Sequence, residues 1–420
     1  MSRTEPVPPL DAPAALDLAE RYVCPNRVRT LTAMGLPLVM GRREGYRFWD
    51  LDGREFLDLH LNGGVYNLGH RNPEVVQALV QAAGHLDIGN HHFPSAERAL
   101  LAERLADLTP GDLTYSVLAS GGGEAIDVAL KTARRVTGRR RVVSLSGAYH
   151  GHTGLALAAG DERAASAFLS DSPDVARVPY GDAGAVDVAL AGEDVAAVIV
   201  ETVPATLGFP VPDPDFLPGV RAACDRHGTV LVADEVQTGL GRTGRLWGVE
   251  LFDVVPDVLV TGKGLSGGMY PMAATVLAPA VAGWLQDDGW GHISTFGGAE
   301  VGCPVARTVL DITTRPETVD HVRHLIARVT DTLAELQARH PDWLVEVRQT
   351  GLVVGLRFAH EQGGPLMTRA LYDQGVWAMF AGFDPSVLQV KPGLLLDDAL
   401  LDRAAEAMDR AMAVAAGWAA

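Results

Sequence analysis

The sequence predicts an α/β protein in which a large domain with a mostly parallel β-sheet carries a smaller α/β domain. Short apolar runs of strand length alternate with helical patterns through the middle of the chain, and this pattern changes after about residue 315. A chain of 420 residues also exceeds what one simple core organises. We expect residues 1–75 to form an N-terminal arm and part of the small domain, 76–314 the large domain, and 315–420 the rest of the small domain.

The chain begins with a segment that favours an arm followed by a hairpin. Four prolines within the first 13 residues oppose a helix, so we expect roughly the first 20 residues to be a mobile arm. From 42 to 58, apolar and aromatic positions alternate around Asp52-Gly53, a dipeptide typical of tight turns. This pattern predicts a hairpin that starts the small domain.

Five near-continuous apolar runs in the middle of the chain predict strands buried on both faces. They are RVVSLSG (141–147), VAAVIVET (195–202), TVLVAD (229–234), DVLVTGK (257–263) and MAATVLA (272–278). Between the second and third runs, FLPGVRAACDRHG has helical spacing and ends at Gly228. Strand, helix and strand in this order indicate a largely parallel sheet covered by helices.

The C-terminal part of the sequence predicts the smaller α/β domain. A long helix with a polar face spans roughly 317–339, VEVRQTGLVVGLRF then predicts strands, and a closing helix starts from Asp397. No internal repeat is visible along the chain.

Composition excludes several classes of partner and site. A formal net charge of −17 opposes binding to nucleic acid or to an anionic membrane, so a small-molecule partner is expected. Neither a secretory signal nor an apolar stretch of about 20 residues is present. Three cysteines without paired spacing predict no disulfide framework and no metal site, which favours a reducing cytoplasm.

Two charged residues stand where buried strands end, which is where ligands bind in open parallel sheets. TVLVAD stops at Asp234, and DVLVTGK stops at Lys263 among small glycine neighbours. Burial there lowers the pKa of a lysine toward the free amine needed to form a Schiff base. A carboxylate at the neighbouring strand end could charge a pyridine nitrogen and so strengthen an electron sink.

Two further motifs complete this hypothesis. Gly121–Gly123 lead directly into a helix, and a glycine turn at a helix N-terminus favours a phosphate group. In GAYHGHTG (147–154), Tyr149 could stack on an aromatic cofactor, although a packed aromatic with surface histidines fits the motif equally well. Three other histidines, His85, His91 and His92, lack metal spacing and are expected in a loop lining an entrance.

These residues resemble the class III aminotransferases, a branch of the fold type I enzymes that use pyridoxal 5'-phosphate. The resemblance runs from about Arg42 to the C-terminus. Its most specific stretch is LVADEVQTGLGRTGRLWGVELFDVVPDVLVTGKGLSGG (231–268), which has the family's acid, glutamine and lysine in order. The resemblance implies a seven-stranded, mostly parallel sheet and a homodimer with shared active sites.

The resemblance also implies roles for individual residues. Lys263 forms the Schiff base, Asp234 pairs with the pyridine nitrogen, and these two are the candidate catalytic residues together with Tyr149. The expected cofactor-binding residues are Gly122, Gly123, Tyr149, Glu201, Asp234, Val236, Gln237, Lys263 and Thr295. Thr295 matches a residue that contacts the phosphate across the dimer interface.

The substrate half departs from the family pattern at two positions. Gln389 replaces an arginine that binds an alpha-carboxylate in many members, and Thr206 replaces the glutamate that switches it. A neutral glutamine cannot form the charged bidentate pair that arginine makes. Candidate substrate-binding residues are therefore Tyr66, Gln389 and Lys391, whose amine could supply a positive charge instead.

Three hypotheses about function remain open on the sequence. The first is an aminotransferase that moves an amino group between a primary amine or amino acid and a keto or aldehyde acceptor. The second keeps the cofactor but leads to elimination, as in the phospholyase branch that the K-P pattern at 391–392 resembles, or to racemisation, decarboxylation or carbon–carbon bond formation. The third is a cofactor-binding protein without turnover.

Overall fold

The N-terminal part of the chain forms helices and a small antiparallel sheet. The computed structural model describes residues 10–419. The N-terminal elements are α1 (Ala12–Tyr22), α2 (Pro25–Ala33), β1 (Met40–Glu44), β2 (Arg47–Asp50), β3 (Glu55–Asp58), α3 (Leu61–Gly64), α4 (Pro73–Ala83) and α5 (Ala96–Leu108). The hairpin expected around Asp52-Gly53 is present, since β2 and β3 pair antiparallel on either side of it.

The helix α1 corrects the expectation of a mobile, non-helical arm. Pro13 lies in the first turn, where the backbone N–H that proline lacks would have no helical partner. The Asp11 carboxylate accepts a hydrogen bond from Ala14 N at 2.8 Å and so caps this helix. The other three prolines of the arm, Pro6, Pro8 and Pro9, lie outside the described residues.

The middle of the chain builds one large sheet with helices on both faces. Its strands and helices are β4 (Tyr115–Ala119), α6 (Gly122–Thr137), β5 (Arg141–Leu145), α7 (Gly154–Ala159), α8 (Glu162–Ala167), β6 (Val175–Val178), α9 (Ala183–Leu190), β7 (Val195–Glu201), α10 (Phe216–His227), β8 (Val230–Asp234), β9 (Val258–Thr261), β10 (Ala273–Leu277), α11 (Trp284–Asp287) and α12 (Gly302–Thr314). Short 3₁₀ helices cover Gly248–Phe252, Lys263–Ser266 and Pro279–Val281.

The large sheet has the mostly parallel, seven-stranded form that the sequence predicted. Its strand order is β4-β10-β9-β8-β7-β5-β6. Four of its pairings are parallel, while β10 runs antiparallel to both β4 and β9. Every residue of β7, β8, β9 and β10 is buried, which explains why these strands read as continuous apolar runs.

The C-terminal part of the chain adds a second α/β layer. Its elements are α13 (Pro316–Arg339), β11 (Leu344–Thr350), β12 (Val353–Phe358), α14 (Gly363–Asp373), β13 (Val376–Trp377), β14 (Met379–Phe380), β15 (Val387–Val390) and α15 (Asp398–Ala419). One sheet has the order β11-β12-β15-β14, and β13 joins the N-terminal strands in the order β1-β2-β3-β13. A single apolar cluster joins these sheets to α13, α14 and α15.

Candidate active site

Three charged residues meet at the carboxyl edge of the large sheet. Glu201 ends β7, Asp234 ends β8 in register with it, and Lys263 follows β9 by two residues. Because β7, β8 and β9 are adjacent and parallel, their last residues must lie side by side. The cleft they form encloses about 580 Å³ of space, part of it open to solvent. Its lining residues are Gly122, Gly123, Tyr149, His150, Gly151, Glu201, Val203, Asp234, Val236, Gln237, Thr238 and Lys263.

Lys263 has an unusual backbone and a buried amine. Its φ of 41° places it in the left-handed region, which residues other than glycine rarely adopt. Its Nζ donates a hydrogen bond to Gln237 Oε1 at 2.9 Å. Burial lowers the pKa of Lys263, and the charges of Asp234 and Glu201 oppose that shift in part. The site therefore favours the free amine more than water does.

Asp234 is held by a histidine that the sequence analysis did not include among the site residues. His150 Nδ1 lies 2.7 Å from Asp234 Oδ2, and both side chains are buried. Burial acts to lower the pKa of His150, but the hydrogen bond and the charge of Asp234 outweigh it and raise the pKa. The other carboxylate oxygen of Asp234 accepts from Val236 N at 3.1 Å. These two hydrogen bonds fix the position of the Asp234 carboxylate.

The signal for His150 was present in the sequence. His150 follows Tyr149 in the GAYHGHTG motif, and one interpretation of that motif predicts a packed aromatic with its histidines on the surface. That reading holds for His152, which is exposed, but not for His150. The turn after β5 buries the ring of His150 and exposes that of His152. The motif alone does not show which of the two histidines is buried, because the partner of His150 lies elsewhere in the chain.

Glu201 and Tyr149 form the adjacent wall of the cleft. Glu201 Oε1 accepts a hydrogen bond from Tyr149 N at 2.8 Å. Burial, with the charge of Asp234, raises the pKa of Glu201 to about 7, while His150 and Lys263 oppose the shift. The Tyr149 side chain remains 42% exposed, so its ring is free to cover a flat ligand.

The N-terminus of α6 closes the opposite end of the cleft. A Cβ on Gly123 would lie 2.9 Å from Thr153 Oγ1, and one on Gly122 would lie 3.2 Å from Val236 Cγ1. Only glycine therefore leaves the first-turn N–H groups open to a ligand. These N–H groups and the positive end of the helix dipole suit a phosphate.

The cleft as a whole suits a flat, phosphorylated aldehyde. It offers a buried amine, a fixed carboxylate and an anion-binding helix end. Among residues 10–419, His150 Nε2 and Gln237 Nε2 are buried and lack a hydrogen-bond partner. In the case of Gln237, the free N–H points to an oxygen acceptor supplied by the ligand.

The candidate substrate residues lie beyond this lining. Gln389 Nε2 donates to Ala205 O at 2.6 Å, and its Oε1 accepts from Lys391 Nζ at 2.5 Å. Thr206 Oγ1 donates to Gly147 O at 2.8 Å. Tyr66 packs against His70, with ring centroids 3.9 Å apart. None of the predicted substrate residues contacts Lys263 Nζ directly by a hydrogen bond within the described chain.

The remaining candidates are separated from the cleft in this chain. Thr295 is exposed and does not line it. His91 lies in a different groove beside Trp290, His92 packs on the same tryptophan, and His85 lines a third depression. The three histidines therefore do not line the Lys263 cleft, because the segment after α4 turns toward α11 instead.

The family model for class III aminotransferases matches residues 31–412. The chain belongs to this family. Class III aminotransferases use pyridoxal phosphate, which is therefore the cofactor of this enzyme. The cleft agrees with that cofactor, because it offers an amine, a carboxylate and a helix N-terminus suited to a phosphate.

Individual relatives support the same assignment. The class III aminotransferase is 47% identical over 400 residues to an uncharacterized aminotransferase of Archaeoglobus fulgidus, covering 95% of this chain and 94% of the relative. It resembles an ornithine aminotransferase from Toxoplasma gondii, solved with partial occupancy of PLP at the active site, with 27% identity, a TM-score of 0.88 and coverage of 97% and 95%. N-acetylornithine aminotransferase from Stenotrophomonas maltophilia gives 29% identity, a TM-score of 0.79 and coverage of 96% and 99%.

Residues 10–419 contain neither a cluster of metal-ligating side chains nor a helix suited to cross a membrane. No group of three or more histidine, cysteine, aspartate or glutamate side chains within residues 10–419 could hold a metal ion. None of the helices described is both long and apolar enough to cross a bilayer.

Proposed function

We propose that this enzyme moves an amino group between a primary amine or amino acid and a keto or aldehyde acceptor. One observation carries the proposal: the Lys263 amine, the Asp234 carboxylate and the N-terminus of α6 line a single cleft. These are the three groups needed to attach, charge and anchor pyridoxal phosphate. When bound, that cofactor supplies a conjugated ring that withdraws electrons from the substrate's alpha carbon.

The residues around the cleft divide the task of holding the cofactor. Gly122 and Gly123 would bind the cofactor's phosphate through their N–H groups, and the buried Gln237 Nε2 would donate to the ring's phenolic oxygen. Tyr149 and Val236 would pack against the ring, and Glu201 would lie beside it. Asp234 would pair with the ring nitrogen.

Lys263 moves the proton that amino transfer requires. Because burial lowers its pKa, its Nζ can be neutral and able to accept a proton. A neutral amine at this position would take the proton from the substrate's alpha carbon and later give it back, so that Lys263 would act as the proton shuttle. Gln237 Oε1, at 2.9 Å, orients the amine for both steps.

Asp234 supplies the charge that makes the ring an effective electron sink. Two unit charges about 4 Å apart at an effective dielectric of about 20 interact by about 4 kcal/mol. That energy corresponds to roughly three pKa units, enough to keep a pyridine nitrogen protonated at neutral pH. The hydrogen bond from His150 keeps the carboxylate in place.

Elimination is the second candidate function, and the substrate half of the site favours it. An exchange between two amino acids needs a carboxylate receptor that can be switched off. Gln389 and Thr206 carry no charge, and both hydrogen-bond to backbone carbonyls. The same cofactor and Lys263 also support loss of a group from the beta carbon, racemisation, decarboxylation or carbon–carbon bond formation.

We further propose a homodimer whose partner subunit completes the site. Thr295 is exposed, and large apolar side chains near it are also exposed: Phe93 75%, Trp290 59%, Ile293 53% and Phe296 53%. A patch of this kind favours contact with another protein surface. Sedimentation at micromolar concentration should then give twice the mass of the chain. A monomer that binds cofactor fully would contradict this proposal.

We also propose a two-domain organisation and a cytoplasmic location. The pairing of β13 with β3 supports a small domain built from both ends of the chain, around a large domain at 76–314. Free cysteines at 24, 224 and 303 and the net charge of −17 support a cytoplasmic enzyme that binds small molecules rather than nucleic acid or membranes.

The decisive experiment mixes the purified holoenzyme with a panel of primary amines and amino acids. Transamination is expected to convert the cofactor's visible absorption stoichiometrically to that of pyridoxamine phosphate and to release a carbonyl product. A spectrum that returns to its starting form with an altered product would identify a lyase or a racemase instead. An unchanged spectrum with every amine would contradict both.

Lys263→Ala should remove covalent attachment of the cofactor and reduce amino transfer by several orders of magnitude. The measurement is retention of the cofactor after denaturation of borohydride-treated protein, together with single-turnover rates. Lys131, an exposed lysine of α6, gives the matched control Lys131→Ala. A Lys263→Ala protein that still attaches cofactor covalently would remove Lys263 from its role.

A further inference from the structure

Glu235 is an enclosed carboxylate directly behind the cleft. It follows Asp234 at the end of β8, and its N–H extends the strand ladder by donating to Val260 O at 2.9 Å. Because side chains alternate between the two faces of a strand, Glu235 points away from the cleft that Asp234 lines. Its side chain belongs to a residue that is only 1% exposed. A buried acid therefore lies beside the site without lining it.

Four neutral donors surround this carboxylate. Oε1 accepts from Thr202 Oγ1 and from Val249 N, both at 2.8 Å. Oε2 accepts from Thr238 Oγ1 at 2.6 Å and from Gly248 N at 2.9 Å. Each oxygen therefore receives two hydrogen bonds, which is what a carboxylate oxygen can accept in its plane. Burial raises the pKa of Glu235, and these four hydrogen bonds oppose that shift.

Each of the two hydroxyl donors is the next residue after a group of the cleft. Thr202 follows Glu201, which ends β7, and Thr238 follows Gln237 in the turn after β8. The acid that binds both hydroxyls follows Asp234 in the same way. One carboxylate therefore connects three segments that each carry a residue of the cleft.

The two backbone donors connect the carboxylate to a fourth segment. Gly248 and Val249 begin the 3₁₀ helix Gly248–Phe252, where the first N–H groups have no acceptor within the helix. A Cβ on Gly248 would lie 3.1 Å from both carboxylate oxygens of Glu235, so glycine allows this close approach. Burying a carboxylate costs free energy that its hydrogen bonds offset. The arrangement therefore contributes fixed positions more than net stability.

We propose that Glu235 is a positioning residue for the cofactor. By holding two hydroxyls at the end of β8, it fixes Asp234 relative to Gln237. Gln237 Oε1 in turn accepts from Lys263 Nζ at 2.9 Å, so the reacting amine is positioned through the same contacts. The inference rests on the proposed contacts of Asp234 and Gln237 with the ring, and it does not depend on the fate of the substrate.

The first test measures how tightly the apoenzyme binds pyridoxal phosphate. Glu235→Gln turns an amide donor toward groups of which two, the backbone N–H groups, can only donate. The dissociation constant, from fluorescence titration, should rise about tenfold or more. Inorganic phosphate, which competes at the glycine turn before α6, should keep its inhibition constant within about twofold, because the connected segments lie at the ring.

Glu250→Gln is the matched control. Glu250 accepts from Trp247 N at 2.9 Å and caps the same 3₁₀ helix, whereas Glu235 also connects the ends of β7 and β8. This control should bind pyridoxal phosphate and inorganic phosphate as the wild type does.

The second test leaves the carboxylate in place. Thr202→Val and Thr238→Val each remove one hydroxyl donor with little change of shape. Each should raise the dissociation constant of pyridoxal phosphate about threefold. Each should also shift the pH midpoint of the holoenzyme's visible absorption by about half a unit, because the charges around the Lys263 amine move. Urea unfolding of each apoenzyme measures lost stability separately, and these variants decide the inference if Glu235→Gln does not fold.

Two results would overturn the inference. One is a set of variants that lose stability but keep the wild-type affinity for pyridoxal phosphate and the wild-type absorption midpoint. The other is equal weakening of pyridoxal phosphate and inorganic phosphate, which would indicate general damage to the site. Gln237→Leu is measured in parallel. If it binds cofactor as the wild type does, the proposed contact of Gln237 with the ring is wrong, while the absorption midpoints of Thr202→Val and Thr238→Val still decide the role of Glu235.

Discussion

At the scale of the residue, the site depends on how each charge is compensated. Asp234 has a buried histidine and a backbone N–H as partners, which hold its carboxylate in a buried position. Among residues 10–419, the Lys263 amine has the neutral oxygen of Gln237 as its hydrogen-bond acceptor, and burial lowers the pKa of this amine. Opposite compensation of an acid and a base is what pyridoxal chemistry requires from a protein.

His150→Phe should leave the Asp234 carboxylate without its strongest partner. We expect amino transfer to slow by about tenfold or more, because a displaced carboxylate no longer charges the ring nitrogen. The pH dependence of the cofactor's absorption should also shift, which a purely structural role would not cause. His152→Phe, at the exposed histidine of the same motif, is the control. Equal rates and pH profiles in both variants would exclude His150 as a positioning residue.

Glu201→Gln should change how stability depends on pH. In the folded chain the Glu201 pKa is about 7, above its ordinary value of 4.5, so the unfolded chain loses this proton first as pH rises. Wild-type stability therefore falls between those two pH values, and the variant lacks this loss. Urea unfolding without cofactor should show the variant gaining about 1–3 kcal/mol relative to the wild type between about pH 5 and about pH 8.

The exposed Glu103 of α5 provides the matched control for that measurement. Glu103→Gln should leave the pH dependence of unfolding as it is in the wild type. If the stability gained by Glu201→Gln over the wild type became smaller as pH rises, the raised pKa of Glu201 would be contradicted.

At the scale of the element, function is concentrated where strands and helices end. The carboxyl ends of β7, β8 and β9 supply the acid groups and the amine, and α6 begins at the same edge. Strand pairing aligns these ends to within a residue, since Glu201 lies opposite Asp234 in the register. Rigid strands therefore fix the separation of groups that come from distant parts of the sequence.

Gly123→Ala should weaken cofactor binding. The new methyl group would lie 2.9 Å from Thr153 Oγ1, so either the N-terminus of α6 or the turn before α7 must move. We expect the dissociation constant of pyridoxal phosphate to rise about tenfold, measured by fluorescence titration of the apoenzyme. Gly154→Ala is the control, because a Cβ there would meet its nearest atom at an ordinary 3.5 Å. Similar affinities in both variants would contradict a tight cradle at Gly123.

At the scale of the whole molecule, segments from both ends of the chain pack near the carboxyl edge of the large sheet. β13 pairs with β3 although more than 300 residues separate them, and Lys391 N bonds to Leu59 O near the cleft. Arg242 connects three segments by donating to Leu352 O and to Pro392 O.

Arg242→Lys should destabilise the fold even though it preserves the charge. A lysine cannot make both hydrogen bonds of the planar guanidinium, so one buried carbonyl, Leu352 O or Pro392 O, loses its donor. We expect a loss of about 1–3 kcal/mol in the free energy of unfolding by urea. Arg245→Lys, at an exposed arginine three residues away, should change it little. Equal stability of the two variants would show that the connection contributes nothing.

The sequence by itself determined the fold class and the family, and it pointed to several residues that line one cleft. Buried parallel strands read as continuous apolar runs, and glycine turns with terminal charges are local features, so Asp234, Lys263 and Gly123 could be found without coordinates. Shorter, partly exposed strands such as β4 and β6 escaped the same reasoning because their burial is incomplete. The pattern of prolines also hides the helix α1, because Pro13 lies in its first turn, where proline is tolerated.

Only the tertiary structure decided which side chains are partners. His150 joins Asp234 across 84 residues, and Gln389 joins Ala205 across 184. A sequence pattern states which face of an element is apolar, whereas a hydrogen bond depends on the distance between atoms from separate elements. That distance is set by how the sheet and the two chain ends pack, so the partners of a charged group and its protonation follow from packing rather than from local sequence.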